Sequence, residues 1–262
     1  MSIRSEDLGG NLLLGALRPA DRALLAPFAE VKVYRRGEML FDVGEEISCI
    51  SFPTGQSVAA LVITMQDGRT VETANIGHEG AIGGIVSQGG LPAFSRALVQ
   101  ISGPFIRIDT SAVQAAKRRS EAIRNLFTRY SDCLLAQVLQ LVACNAVHPI
   151  GARCARWLLT LQERLGGDAL PVTHEMLAEL LGVQRSYLTR TLRALQNEGL
   201  IEAKRGRIIV SNRENLEDAA CECRGVIKQH FERVLGAVYD EKGTLLSFRP
   251  RPSDQAARSH AL

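Results

Sequence analysis

Aromatic residues are scarce in this sequence, 5% of the chain with a single tryptophan, Trp157. Hydrophobic residues nevertheless reach 46% and charged residues 23%, proportions that exclude disorder throughout and allow a packed core. Neither sign of charge is in marked excess. A net charge of +3 over 262 residues does not by itself point to a nucleic-acid partner. There is no framed cysteine array either: Cys49, Cys133, Cys144, Cys154, Cys221 and Cys223 are scattered, which excludes a disulfide scaffold and fits buried thiols in a reducing compartment. The opening MSIRSEDLGGNLLLGAL has acidic residues ahead of a short apolar patch, unlike a secretion signal. No run approaches about 18 uninterrupted apolar residues, so a cytoplasmic chain without a membrane partner is expected. Walker, HExxH, GxSxG and GxGxxG motifs are missing. Gly77-His78-Glu79-Gly80 has no nucleophile or third group beside it in sequence, so nothing positive supports an enzyme.

What the chain does have is an uneven distribution of charge and a change of periodicity. Residues 1–147 hold 14 Lys/Arg against 14 Asp/Glu, whereas Gly182 to Val210 holds six Lys/Arg against two Asp/Glu. From Glu30 to Ile108 short apolar or alternating runs (VKVY, EMLF, ISCISF, SVAALVITM, TVETANI, RALVQI, PFIRI) are broken by glycine turns. These predict a compact antiparallel β-sandwich or roll. PADRALLAPFA, from Pro19 to Ala29, reads as a short helix before it.

Beyond Asp109 the period becomes helical. Ile123, Phe127, Tyr130, Leu134, Val138 and Leu141 recur at steps of three and four, the seam of a helix packed on another helix, and they are the expected dimerisation residues. Leu135, Leu139 and Val142 lie off that seam. A helix apolar on more than one face is shared between its own domain and a partner subunit or buried in a large core, and sharing is the expectation here. His148-Pro149 marks the next boundary, with Pro149 placed for a helix start and Gly166-Gly167 for its end. The expected organisation is a β-roll domain at 1–118, a dimerisation helix at 119–147, a helical domain at 148–241 and an unstructured tail rich in Arg, Pro, Ser and Ala at 242–262.

Within the helical domain, Thr173 is a hydroxyl N-cap for a helix whose apolar face is Met176, Leu177, Leu180 and Leu181, and it is also counted among the expected DNA contacts. Gly182 supplies a turn. A second helix follows, with Tyr187, Leu188, Thr191, Leu192 and Leu195 able to face inward and Gln184, Arg185, Ser186, Thr189, Arg190 and Arg193 outward. This is a helix-turn-helix pattern, in which the start of the second helix enters a DNA major groove. Guanidinium groups suit guanine O6 and N7 or phosphate. LIEAK, Arg205-Gly206 and RIIV then predict a hairpin whose tip carries Lys204, Arg205 and Arg207, positioned to touch the backbone beside the groove. A solvated arginine face is the bland alternative, and two basic elements at this spacing weigh against it.

The order of β-roll, long helix and THEMLAELLGVQRSYLTRTLRALQNEGLIEAKRGRIIV resembles the Crp/Fnr superfamily of bacterial transcription regulators across about residues 20–240. LLAQ, ACN, His148, ARWLL and the AC.C at 220–223 are similar to a subgroup with no assigned effector. The resemblance implies an α+β chain: a β-roll of cyclic-nucleotide-binding type, a long dimerisation helix and a C-terminal winged helix-turn-helix. Its implied partners are double-stranded DNA, a second copy of the chain, RNA polymerase and an unknown small-molecule or redox effector. The superfamily's recognition helix falls on Gln184 to Gln196, with the base-contacting arginine at Arg190 and an earlier base or phosphate contact at Arg185. Ser186 stands where many members carry a glutamate that reads cytosine, so a different half-site is implied.

The effector region implied by the resemblance is Gly83, Gly84, Arg96 and Ala97. Gly84 replaces a glutamate that holds the ribose, and Ala97 replaces the serine beside the phosphate-binding arginine. Cyclic nucleotide is therefore not expected, and an N-terminal roll that senses nothing is a rival reading. An iron–sulfur cluster of Fnr type is not expected either, since Cys49 is the only cysteine before Cys133. Cys221-Glu222-Cys223 raises the other alternative, a thiol- or metal-responsive regulator, with Cys144, Cys154 or His148 as further ligands. On a continuous helix the two thiols would stand about 200° apart, which favours core packing, and His148 reads as a hinge or cap.

Overall fold

The computed structural model describes residues 4–83 and 91–249. Helices α1 (Leu12–Gly15) and α2 (Pro19–Leu25) precede seven strands: β1 (Ala29–Tyr34), β2 (Met39–Phe41), β3 (Cys49–Pro53), β4 (Val58–Thr64), β5 (Thr70–Ile76), β6 (Arg96–Ile101) and β7 (Gly103–Asp109). They pair antiparallel in two sheets, ordered β1-β7-β3 and β2-β6-β4-β5, which is the expected roll. Tyr34, Phe41, Ala59, Ala74, Val99 and Phe105 fill its interior.

Strand β4 explains how the roll meets the rest of the chain. VAALVIT is apolar almost throughout, the pattern of a strand covered on both faces. Ala59 faces the roll interior, while Val58, Ala60 and Val62 join the core of the C-terminal domain. The second face of this sheet is therefore the seat on which that domain docks.

After α3 (Thr110–Arg119), Ser120 caps α4 (Glu121–Val147) by accepting from the Ile123 N–H at 3.2 Å, and its hydroxyl donates to Asp21 Oδ1 at 2.7 Å. The predicted dimer seam is turned inward. Ile123, Phe127, Tyr130 and Leu141 are buried in the subunit itself, and Leu134 and Val138 pack against its roll. Leu135, Leu139 and Val142 are instead 57%, 60% and 62% exposed. The apolar face that the periodicity marks lies against the subunit's own roll. In length and mean hydropathy (1.2) α4 also has the dimensions of a membrane span, which a search for uninterrupted apolar runs does not register. Its inward face is committed to the roll.

The C-terminal domain contains α5 (Ile150–Leu165), β8 (Ala169–Leu170), α6 (His174–Leu181), α7 (Arg185–Asn197), β9 (Ile201–Lys204), β10 (Arg207–Val210) and α8 (Arg213–Ala219). Its three strands form an antiparallel sheet in the order β8-β10-β9. Helix α9 (Cys223–Leu235) returns along α4, and β11 (Ala237–Tyr239) pairs with β12 (Leu245–Phe248). Phe231, Leu235, Ala237 and Phe248 belong to one core with Leu8, Leu13 and Phe127. Part of the expected tail is thus folded, because Leu245–Phe248 supplies a strand and an aromatic anchor. Residues 250–262, the remainder of that tail, lie outside the described residues.

Candidate nucleic-acid interface

Helix α6 starts at Thr173, whose Oγ1 accepts from the Met176 N–H at 3.2 Å. Thr173, expected among the DNA contacts, thus caps the helix. Gly182 closes α6 at φ 68°, a left-handed conformation that a side chain would strain. An added Cβ there would also stand 3.0 Å from Val71 Cγ2 on the roll, so this turn is both a chain reversal and a docking contact.

Helix α7 begins at Arg185 with Gln184 as N-cap. Leu188, Thr191, Leu192 and Leu195 are buried, while Gln184, Arg185, Ser186, Arg190 and Arg193 are exposed and Thr189 is half-buried. The N-terminal turn thus presents free backbone N–H groups and the positive end of the helix dipole on the arginine face. Tyr187 departs from expectation: it is 45% exposed, and the Arg190 guanidinium lies over its ring at 5.7 Å from the centroid. That contact holds Arg190 against the helix surface. Thr189 Oγ1 stands 3.4 Å from His174 Nδ1. Burial, with Arg185 and Arg193 nearby, pushes the His174 imidazole below its ordinary value, so the charge on this face comes from the arginines.

The predicted hairpin is present, with Arg207 opposite Lys204 and Gly206 at φ 76° in the turn. Lys204, Arg205 and Arg207 are exposed at its tip. Lys204 Nζ lies 3.1 Å from Glu202 Oε2, with both side chains open to solvent, a pair weak enough to exchange for a phosphate. The third strand, β8, was not foreseen; two residues are too few to show alternation.

Of the expected effector residues, Gly83, Arg96 and Ala97 are among the described residues. Arg96 is held by Asp42 through two bonds of 2.8 and 3.0 Å, and this guanidinium lowers the Asp42 carboxyl from its ordinary value. A phosphate would have to displace that carboxylate. Ala97 is buried inside the roll. Gly83, at φ 113°, abuts Cys49 O and lines an open cleft of about 310 Å3 with Phe41, Ile47, Tyr130 and Leu134. Gly84 lies outside the described residues. Arg96 is not part of that lining.

Polar contacts absent from the sequence reading fasten the C-terminal domain to the roll. Arg164 of α5 pairs with Glu79, Nη2 to Oε1 at 2.6 Å, and also donates to Asn75. Burial alone would raise the Glu79 carboxyl, but Arg164, together with His78 and the Gly77 N–H, outweighs it and holds it below its ordinary value. Gln56 Nε2 donates to Leu165 O at 2.5 Å and Arg36 Nη1 to Pro171 O at 3.4 Å.

Residues 152–219 match the family model described as the Crp-like helix-turn-helix domain. Among curated proteins no sequence match is found. The chain is similar in fold to FixK2 from Bradyrhizobium japonicum, with TM-score 0.64 and 16% identity over 74% of this chain and 98% of that one. It is also similar to TTHB099, a CRP-family transcriptional regulator from Thermus thermophilus, with TM-score 0.62 and 20% identity over 72% and 96% of the two chains. A Crp/Fnr-family structure from Eubacterium rectale gives TM-score 0.63 and 19% identity over 80% and 98%. At these identities the likeness is one of fold, and residues 152–219 are a Crp-like helix-turn-helix domain on a chain with the fold of the Crp/Fnr transcription regulators.

Proposed function

We propose that the chain is a cytoplasmic, sequence-specific DNA-binding regulator of transcription that acts as a homodimer. One observation carries this reading: α7 buries its leucines and leaves Arg185, Arg190 and Arg193 exposed directly after the Gly182 turn, with the basic hairpin tip beyond it. Arg190 reads a base, Arg185 reads a base or holds a phosphate, and Arg193, Lys204, Arg205 and Arg207 hold the backbone. Ser186, without a carboxylate, leaves cytosine recognition at its position to other groups.

The dimer contact assigned to α4 is the exposed stripe of Leu135, Leu139 and Val142, spaced at four and three residues. Two α7 helices related by the two-fold axis then reach half-sites about 34 Å apart. A signal at the roll changes DNA affinity by favouring one placement of the docked domains over another. The contacts at Glu79, Asn75 and β4 are where such a change passes. Selection of binding sites from random duplex DNA tests the reading: enrichment of a two-fold motif supports it, and a pool that stays random counts against it.

A further inference from the structure

We propose that Cys144, His148, Cys221 and Cys223 form a tetrahedral site for one zinc-class divalent cation, which clamps the end of α4 to the α8–α9 junction. The assumption of a continuous helix through Cys221-Glu222-Cys223 does not hold. Helix α8 ends at Ala219 and α9 starts at Cys223, with Cys221 in the break between them. This break turns the two thiols toward Cys144 and His148 at the end of α4.

Distances favour a single ion over the other occupants. The candidate ligand atoms of the four residues all lie within 4.8 Å of one another. Cys144 Sγ and Cys221 Sγ are 3.6 Å apart, and Cys223 Sγ is 3.5 Å from His148 Nδ1. Bonds of about 2.3 Å to sulfur and 2.0–2.1 Å to nitrogen place neighbouring ligands of a tetrahedral ion about 3.5–3.8 Å apart. An iron–sulfur cluster puts its own irons and sulfides between the thiolates and so needs them more widely spaced. A disulfide requires about 2.05 Å, and all six cysteines are free.

The surroundings complete the donor set. His148 turns Nδ1 to the sulfurs and Nε2 to Glu222 Oε2 at 3.3 Å, the carboxylate–histidine pairing that fixes the tautomer and orientation of a metal-binding imidazole. Gln140 Nε2 is 3.2 Å from Cys223 Sγ, as a donor to a thiolate would be. Three thiolates and a neutral imidazole on a divalent ion leave one net negative charge. Arg156, 5% exposed and with its Nε unpartnered, acts on Cys144 in the opposite sense. Core packing explains buried cysteines. It does not explain an imidazole nitrogen converging on them with a carboxylate on its far side.

Binding forms three sulfur–metal bonds and one nitrogen–metal bond and releases the thiol protons to solvent, with no change of oxidation state. The site itself does not depend on the DNA-binding reading; only its effect on DNA does.

The full-length chain, reduced and freed of metal, is titrated with Co2+. The expected result is saturation at one ion per chain, with thiolate-to-cobalt charge transfer and the intense visible bands of a tetrahedral centre, both removed by Zn2+. Cys144→Ser and Cys223→Ser should lose these bands, and Cys49→Ser should keep them. Glu222→Gln should weaken the metal by about 10–100-fold. Alkylation mapped by mass spectrometry needs no variant: Zn2+ should protect Cys144, Cys221 and Cys223 in the parent chain. Equal labelling with and without Zn2+, or an unchanged cobalt spectrum in folded Cys223→Ser, overturns the proposal. Loss of specific DNA binding with the cobalt spectrum intact would overturn the regulator reading and leave this site standing.

Discussion

The indole Nε1–H of Trp157 points between the two carboxylate oxygens of Glu72, 3.1 and 3.3 Å away, and so joins α5 to β5 across the junction between the roll and the DNA-binding domain. Asn75 Nδ2 and Gln100 Nε2 donate to the same carboxylate at 3.0 and 2.8 Å. Trp157→Phe keeps the ring and removes the donor. A loss of about 1–3 kcal/mol is expected, read from urea unfolding, and an unchanged midpoint would show that the bond contributes nothing net.

Burial raises the Glu72 carboxyl above its ordinary value, against the opposing bonds from Gln100 and Trp157 and the charges of Arg156 and Arg164. A group raised in the folded state stabilises fully below its unfolded value and loses that contribution as pH climbs through the folded value. Gln100 Oε1 is buried without a partner; rotation of that amide lets it accept from a protonated Glu72 or from the amide of Glu72→Gln. Relative to the parent, Glu72→Gln should therefore gain stability as pH rises through the folded-state value of Glu72. Urea unfolding across pH checks this, and a difference that is flat with pH contradicts it.

At Gly182 the left-handed φ and the proximity of Val71 act together. Gly182→Ala should cost at least about 1 kcal/mol in unfolding experiments. Gly199 has a similar φ of 72° but open space around it, so Gly199→Ala should cost less.

The exposed stripe on α4 makes a separate claim. Leu139→Glu should convert a dimer to monomers in sedimentation analysis, with each subunit still folded by circular dichroism, because Leu139 is not part of the subunit's own core. Unchanged sedimentation would remove α4 from the dimer contact.

The side chains proposed to contact DNA should separate by role. Arg190→Ala is expected to lose about 1–3 kcal/mol of discrimination between specific and random DNA, whereas Lys204→Ala should weaken both alike and reduce the salt dependence by about one unit of slope. Fluorescence anisotropy at several salt concentrations distinguishes the two.

Much of this architecture is legible in the chain. Glycine-punctuated apolar runs mark the roll, and Thr173, Gly182 and the leucines of α7 mark the helix-turn-helix because capping, left-handed turns and amphipathic spacing are local effects. Contacts between distant segments are not. The continuous apolar run in β4 signals two covered faces without naming the second cover. The period of α4 shows which residues share a face but not whether that face meets its own roll or another subunit. Tyr187 sits at an inward helical position, yet its ring lies out beneath Arg190. Cys221 and Cys223 diverge on an ideal helix and converge on Cys144 and His148 only because the helix breaks between them.

The most direct test is binding-site selection from random DNA with the parent chain and Arg190→Ala in parallel. The parent should enrich a two-fold motif with half-sites one helical turn apart, and Arg190→Ala should lose the preference at one symmetric pair of positions. Identical motifs from both chains, or none from the parent, would contradict the assignment of α7 as the helix that reads DNA.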